Sequence, residues 1–184
     1  MNTIWALSGV VIKELYRRKD FYVLFVLTAL ITIAAGSVEF FKDPHIVFYI
    51  KDLCLLLIWI SALLVTLATA ARQIPAEREN RTIFPLLAKP VTRRQIILGK
   101  FLGCWLASGI ALVVFYVFFA IVTGSREQSW PVLDYVQALL LQWIMLGIVT
   151  AMTLLGSVVF AAPSSTVTIL FIIVAGILFL GRHL

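Results

Sequence analysis

Five stretches of 18 to 28 residues contain no Asp, Glu, Lys, Arg or His: 21–38, 53–71, 101–123, 135–162 and 164–181. A helical residue rises about 1.5 Å and the hydrocarbon layer of a bilayer is about 30 Å thick, so about 20 apolar residues cross it. The last two stretches adjoin. They are divided at residues 161–165, Ala-Ala-Pro-Ser-Ser, because Pro163 removes a backbone donor and small polar residues suit a tight turn. The runs lack the period-two alternation of a membrane β-barrel. The expected fold is therefore all-α: a polytopic transmembrane bundle of five spans. Composition agrees. The chain is 62% hydrophobic and 13% charged, whereas a soluble domain is about half apolar and about a quarter charged. A soluble core of this size could not bury that excess.

The first run is expected to be a retained span. At 18 residues it exceeds the apolar region of a signal peptide, about 7–15 residues. Before it, Ile4, Leu7, Val11 and Leu15 recur at three- and four-residue spacing and share one helical face, widened by Trp5, Ile12 and Tyr16. Lys13, Glu14 and Arg17 fall opposite, with Val10 as the misfit. Residues 3–19 thus read as an amphipathic interfacial helix lying on the membrane before the chain turns inward; the alternative is a plain cytoplasmic extension of the first span.

Orientation follows from Lys and Arg. With the N-terminus in the cytoplasm, eleven basic residues lie inside: Lys13, Arg17, Arg18, Lys19, Arg72, Arg78, Arg81, Lys89, Arg93, Arg94 and Lys100. Four lie outside: Lys42, Lys51, Arg126 and Arg182. The net charge of +6 is then a topology signal rather than a sign of nucleic-acid binding. Cys54 and Cys104 fall near opposite membrane surfaces, too far apart for a disulfide, and no Cys/His cluster of metal-ligand spacing occurs.

Apart from cysteine and tyrosine the spans carry no ionisable side chain. Proton- and ion-coupled carriers place such groups at membrane depth, so a proton relay is not expected. Glu39, Asp43, His45, Asp52, Glu127 and Asp134 are scattered over two outer loops and match no catalytic spacing. A lipid-modifying membrane enzyme is the weaker reading for that reason.

The segment that stands apart is the inner loop, 72–100. Ile83, Phe84, Leu86 and Leu87 give it an apolar face, and a short amphipathic helix is expected over 76–87, bent or ended by Pro85. Lys89-Pro90 then breaks the helix. Thr92 reads as the N-cap of a new helix running through Gly99 into the third span. Such a surface beneath the membrane suits docking of a cytoplasmic partner. On physical grounds alone, a plain positive-inside loop and a non-transporting assembly subunit of a membrane complex stay open as well.

Glu77, Glu79, Thr82, Leu86, Leu87, Pro90, Val91, Thr92, Arg93, Gly99 and Lys100 occur in an order that resembles the first cytoplasmic loop of type-2 ABC-transporter permeases. Many members have Gly before the Thr, where this chain has Arg81. That departure looks closer to the branch linked to copper-enzyme maturation or gliding motility. The resemblance implies the permease subunit of an ATP-driven exporter in the bacterial inner membrane. Its 72–100 loop would dock on a separate cytoplasmic ABC ATPase, and a second permease copy or homologue would complete the unit. The partner would bind ATP and Mg. This chain has no phosphate-binding glycine loop and is expected to be non-catalytic and cofactor-free. Glu77, Glu79, Arg81, Thr82, Leu86, Leu87, Pro90, Thr92 and Arg93 would couple to the ATPase, with Leu86 and Leu87 as apolar anchors. Lys100 would snorkel to lipid head groups. The turn at 162–165 would make a smaller ATPase contact. The family usually has six spans, so a chain with five is expected to be a fragment.

On the third span Gly99, Gly103, Ala107 and Ala111 form a ladder of small residues at four-residue spacing. Such a face lets helix backbones approach closely in lipid. Packing within the permease is its expected use, with a dimer seam as the alternative.

Overall fold

In a computed structural model of the chain, residues 2–17, 19–37, 44–79, 92–124, 132–160 and 162–183 are described. They form six helices: α1 Asn2–Arg17, α2 Lys19–Ser37, α3 Pro44–Glu79, α4 Arg93–Gly124, α5 Val132–Val159 and α6 Pro163–His183. No strand occurs among the described residues, in keeping with an all-α transmembrane bundle. Among the described residues three segments are long and apolar enough to cross a membrane: Asp52–Ala76, Arg94–Ile121 and Leu133–Val159. A shorter apolar helical segment covers Pro163–Ile177.

The helix ends follow from local chemistry. The Gln95 backbone N–H donates to the Thr92 hydroxyl at 3.4 Å, and the Thr92 N–H donates to the Gln95 side-chain oxygen at 3.1 Å. This reciprocal capping box satisfies two donors left over at the start of α4, and it places the N-cap at the residue anticipated for it. α6 opens on Pro163, whose missing N–H is harmless at a first helical position. The Ala162 carbonyl accepts from the hydroxyls of Ser165 and Thr166 at 2.8 and 3.2 Å. The long uncharged stretch thus divides at the expected point.

α3 departs from expectation. It runs unbroken for 36 residues. The sequence reading ends the second span at the charge of Arg72, but a charge limits membrane burial and does not end a helix. The helix passes through Pro75, which is buried, and takes in residues 76–79, which were assigned to a separate short helix. A proline inside a helix removes one ladder bond, a loss that tight packing by neighbours can absorb. At the other end, residues 44–52, read as loop, are the first turns of α3. The rest of the anticipated 76–87 helix lies outside the described residues.

α3 is the central element, touching α2, α4, α5 and α6, while α1 rests mainly on α4. Ala62, Ala70, Ala107 and Ala111 are fully buried. Lipid gives helices no hydrophobic reason to associate, so close packing of small residues and interhelical hydrogen bonds must hold them. One cluster gathers Ile58, Ala62, Ala111, Phe115, Phe119 and Leu146 from α3, α4 and α5. A second joins Leu63, Leu67, Val149, Leu170 and Val174 from α3, α5 and α6. A third, at the end where α3 stops and α4 begins, joins Val11, Ala70, Cys104 and Leu154. Neither cysteine is in a disulfide; both are buried, and they sit in different clusters. Thr28 and Ser61 share a buried hydrogen bond at 2.8 Å, tying α2 to α3. Thr66, Thr69, Thr150 and Thr153 turn their hydroxyls onto the carbonyls four residues back, which hides polar groups that lipid would otherwise penalise.

Candidate functional site at the junction of α1, α3 and α4

The ladder on α4 has a specific counterpart. A Cβ placed on Gly103 would lie 2.9 Å from the Val11 Cβ and 3.0 Å from the Ser8 Cα. The backbone of α1 therefore approaches α4 at a distance that only glycine permits. Ser8 and Val11 are buried there, while Trp5 and Val10 are exposed. The face of α1 that carries Val11, expected to meet lipid, meets α4 instead. Ala107 and Ala111 continue the ladder into the core cluster around Phe115, and Gly99 is buried at its other end.

Beside this contact a polar bridge crosses three helices. The Gln73 side-chain amide donates to the Glu14 carboxylate at 3.2 Å. The Lys100 ammonium donates to the Gln73 backbone carbonyl at 2.6 Å. Gln73 of α3 thus stands between an acid on α1 and a base on α4. Lys100 is only 4% exposed and Gln73 only 7%. This corrects the expectation that Lys100 snorkels to lipid phosphates. Its ammonium reaches the Gln73 carbonyl instead, and a charge so enclosed needs protein partners to offset its lost hydration. The bridge sits two residues before Pro75 and one residue after Gly99.

A family model described as ABC-2 family transporter protein matches residues 23–181. The chain belongs to that family. This ABC-2 protein is accordingly a multi-pass integral membrane protein and a permease subunit of an ABC transporter. No curated protein matches the chain.

In the ABC-2 permease the residues assigned to ATPase coupling divide as follows. Glu77 and Glu79 fall in the last turn of α3, and Arg93 is the first residue of α4. Thr92 caps that helix and is exposed. Arg81, Thr82, Leu86, Leu87 and Pro90 lie outside the described residues. Among the described residues no group of three or more His, Cys, Asp or Glu side chains lies close enough to hold a metal ion. Sequence reasoning missed Gln73 and placed Glu14 only on the face of α1 opposite the apolar one. A signal existed for Gln73: Ala62, Thr66, Thr69 and Gln73 step along one face at three- and four-residue spacing. Three apolar or hydroxyl residues on a buried stripe, followed by an amide, mark the point where the stripe turns polar.

Proposed function

We propose that this permease is coupled to a separate cytoplasmic ABC ATPase through the 72–100 loop and works as an exporter. A second permease copy completes the unit in a bacterial inner membrane, with the N-terminus in the cytoplasm. The observation that carries this reading is how the loop is mounted. Its two arms are the ends of α3 and α4, helices of 36 and 32 residues that each contain a membrane-crossing segment. A load on the loop is therefore delivered to rods that continue through the bilayer. The capping box at Thr92 supports the same reading, because it holds the start of α4 in one conformation. Glu77, Glu79, Arg81, Thr82, Leu86, Leu87, Pro90, Thr92 and Arg93 form the docking surface, with Leu86 and Leu87 as anchors. ATP and Mg belong to the partner. The membrane lipids are the permease's solvent.

Purification of the full-length protein in mild detergent tests this reading. An ATPase with a phosphate-binding loop is expected to copurify, and a Glu79→Ala, Leu87→Ala double substitution is expected to release it while the spans stay folded. A permease that purifies without any ATPase would sink the proposal.

A further inference from the structure

We infer that Glu14, Gln73 and Lys100 are positioning residues that make α1 follow the base of the α3–α4 loop. This inference rests on the reading of that loop as the ATPase-coupling element. It assigns α1 a place in the moving body rather than that of a passive anchor on the membrane.

The argument starts from what separation would leave behind. Moving α1 away from α3 strands the Gln73 amide, and moving α4 away from α3 takes from the buried Lys100 ammonium a carbonyl 2.6 Å away. An enclosed charge deprived of a partner is far more costly than an intact bridge is stabilising. Parting the three helices is thus harder than moving them together. The apolar contact works in the same direction. Val11 and Ser8 sit so close to Gly103 that α1 has no room to slide inward, and the cluster of Val11, Ala70, Cys104 and Leu154 fills the space behind it. The location matters too. Pro75 has no N–H to donate to the Ala71 carbonyl, so the α3 ladder is weakest over the turn that contains Gln73. Glu14 and Lys100 hold α1 and α4 to that turn through Gln73. A push on residues 76–79 bends this turn, and the bridge passes the movement to α4 and α1.

The test uses the full permease with its copurified ATPase in nanodiscs, with Cys54 and Cys104 replaced by Ala. Two spin-label pairs report motion: Arg94→Cys with Ser164→Cys for the loop base, and Arg17→Cys with Ser164→Cys for α1. Arg17, Arg94 and Ser164 are all exposed. In the parent, ATP with vanadate is expected to shift both distances. In Glu14→Leu the loop-base shift persists while the α1 shift falls by at least half, and Glu14→Gln, whose amide oxygen still accepts from Gln73, restores it. Gln73→Leu removes the same bond from the α3 side and keeps the carbonyl that Lys100 uses; it is expected to give the same split, which covers the case of a poorly folding Glu14→Leu. A full α1 shift in both Glu14→Leu and Gln73→Leu overturns the inference and leaves the coupling reading standing. A parent in which ATP moves neither pair overturns the coupling reading and the inference with it.

Discussion

Trp105 and Trp143 hydrogen-bond into each other's helix. The Trp105 indole N–H donates to the Trp143 carbonyl at 3.0 Å, and the Trp143 indole N–H donates to the Trp105 carbonyl at 3.2 Å. The rings stack with centroids 4.9 Å apart, and Phe101 extends the stack on one side. Each ring lies over a glycine of the facing helix, Trp105 over Gly147 and Trp143 over Gly109. Both indole donors are thereby satisfied within apolar, membrane-crossing segments, and both rings add stacking energy to the α4–α5 seam.

Gly109→Ala should break this clasp. A Cβ there would run into the Trp143 indole closer than real side chains approach, so the ring must move and give up its bond. We expect a loss of about 1–3 kcal/mol in stability, read by thermal unfolding in detergent. A change in tryptophan fluorescence should accompany it. Gly176→Ala, where a Cβ would meet nothing within 4 Å, should leave the fluorescence unchanged and the stability unchanged or raised by up to about 1 kcal/mol.

A second pair of glycines separates close approach from simple helix propensity. Gly103→Ala forces Val11 and the Ser8 backbone outward and should loosen α1 from α4, seen as faster protease cleavage or hydrogen exchange in α1. Gly9→Ala meets open space and should be neutral or stabilise α1 by up to about 1 kcal/mol, since alanine favours helix. Equal effects at the two positions would contradict the packing described.

The Thr28–Ser61 bond allows a modest effect. Hydrogen bonds between helices in a bilayer average about 0.6 kcal/mol by double-mutant cycle. Thr28→Val and Ser61→Ala, alone and together, should return a coupling of that order between α2 and α3 in unfolding measurements. A value near zero would mean that the hydroxyls find other partners.

Thr92→Ala removes the cap of α4. The expected loss is about 1 kcal/mol, confined to the first turn and visible as faster amide exchange at Gln95 and Ile96, both of which donate to Thr92. Thr92→Asp should retain the protection, because a carboxylate caps as well as a hydroxyl and suits the positive end of the helix dipole.

Several of these features were legible before the structure. Thr92 followed three residues later by Gln95 is a start signal, and Pro163 among small residues is a stop, because both act through the backbone within one turn. The length of α3 was not legible, because charge was used as its boundary and Arg72 is followed by buried Gln73 and Pro75. The Trp105–Trp143 clasp leaves a trace in the repeated Trp-x-x-x-Gly of residues 105–109 and 143–147. Only the register between two helices, which no local rule supplies, turns that trace into a contact. The fate of Lys100 depends on the same kind of information, since its partner lies 27 residues away.

The Thr28–Ser61 bond also fixes a point on α3. Ser61 lies 17 residues from Pro44 and 14 from Pro75, so it divides the stretch of α3 before its weak turn into arms of about 26 and 21 Å. A beam pinned near its middle has a mechanical advantage close to one. A tilt of about 5° swings the end of each arm by roughly 2 Å in opposite directions, so a tilt of this stretch displaces its two ends by nearly the same amount.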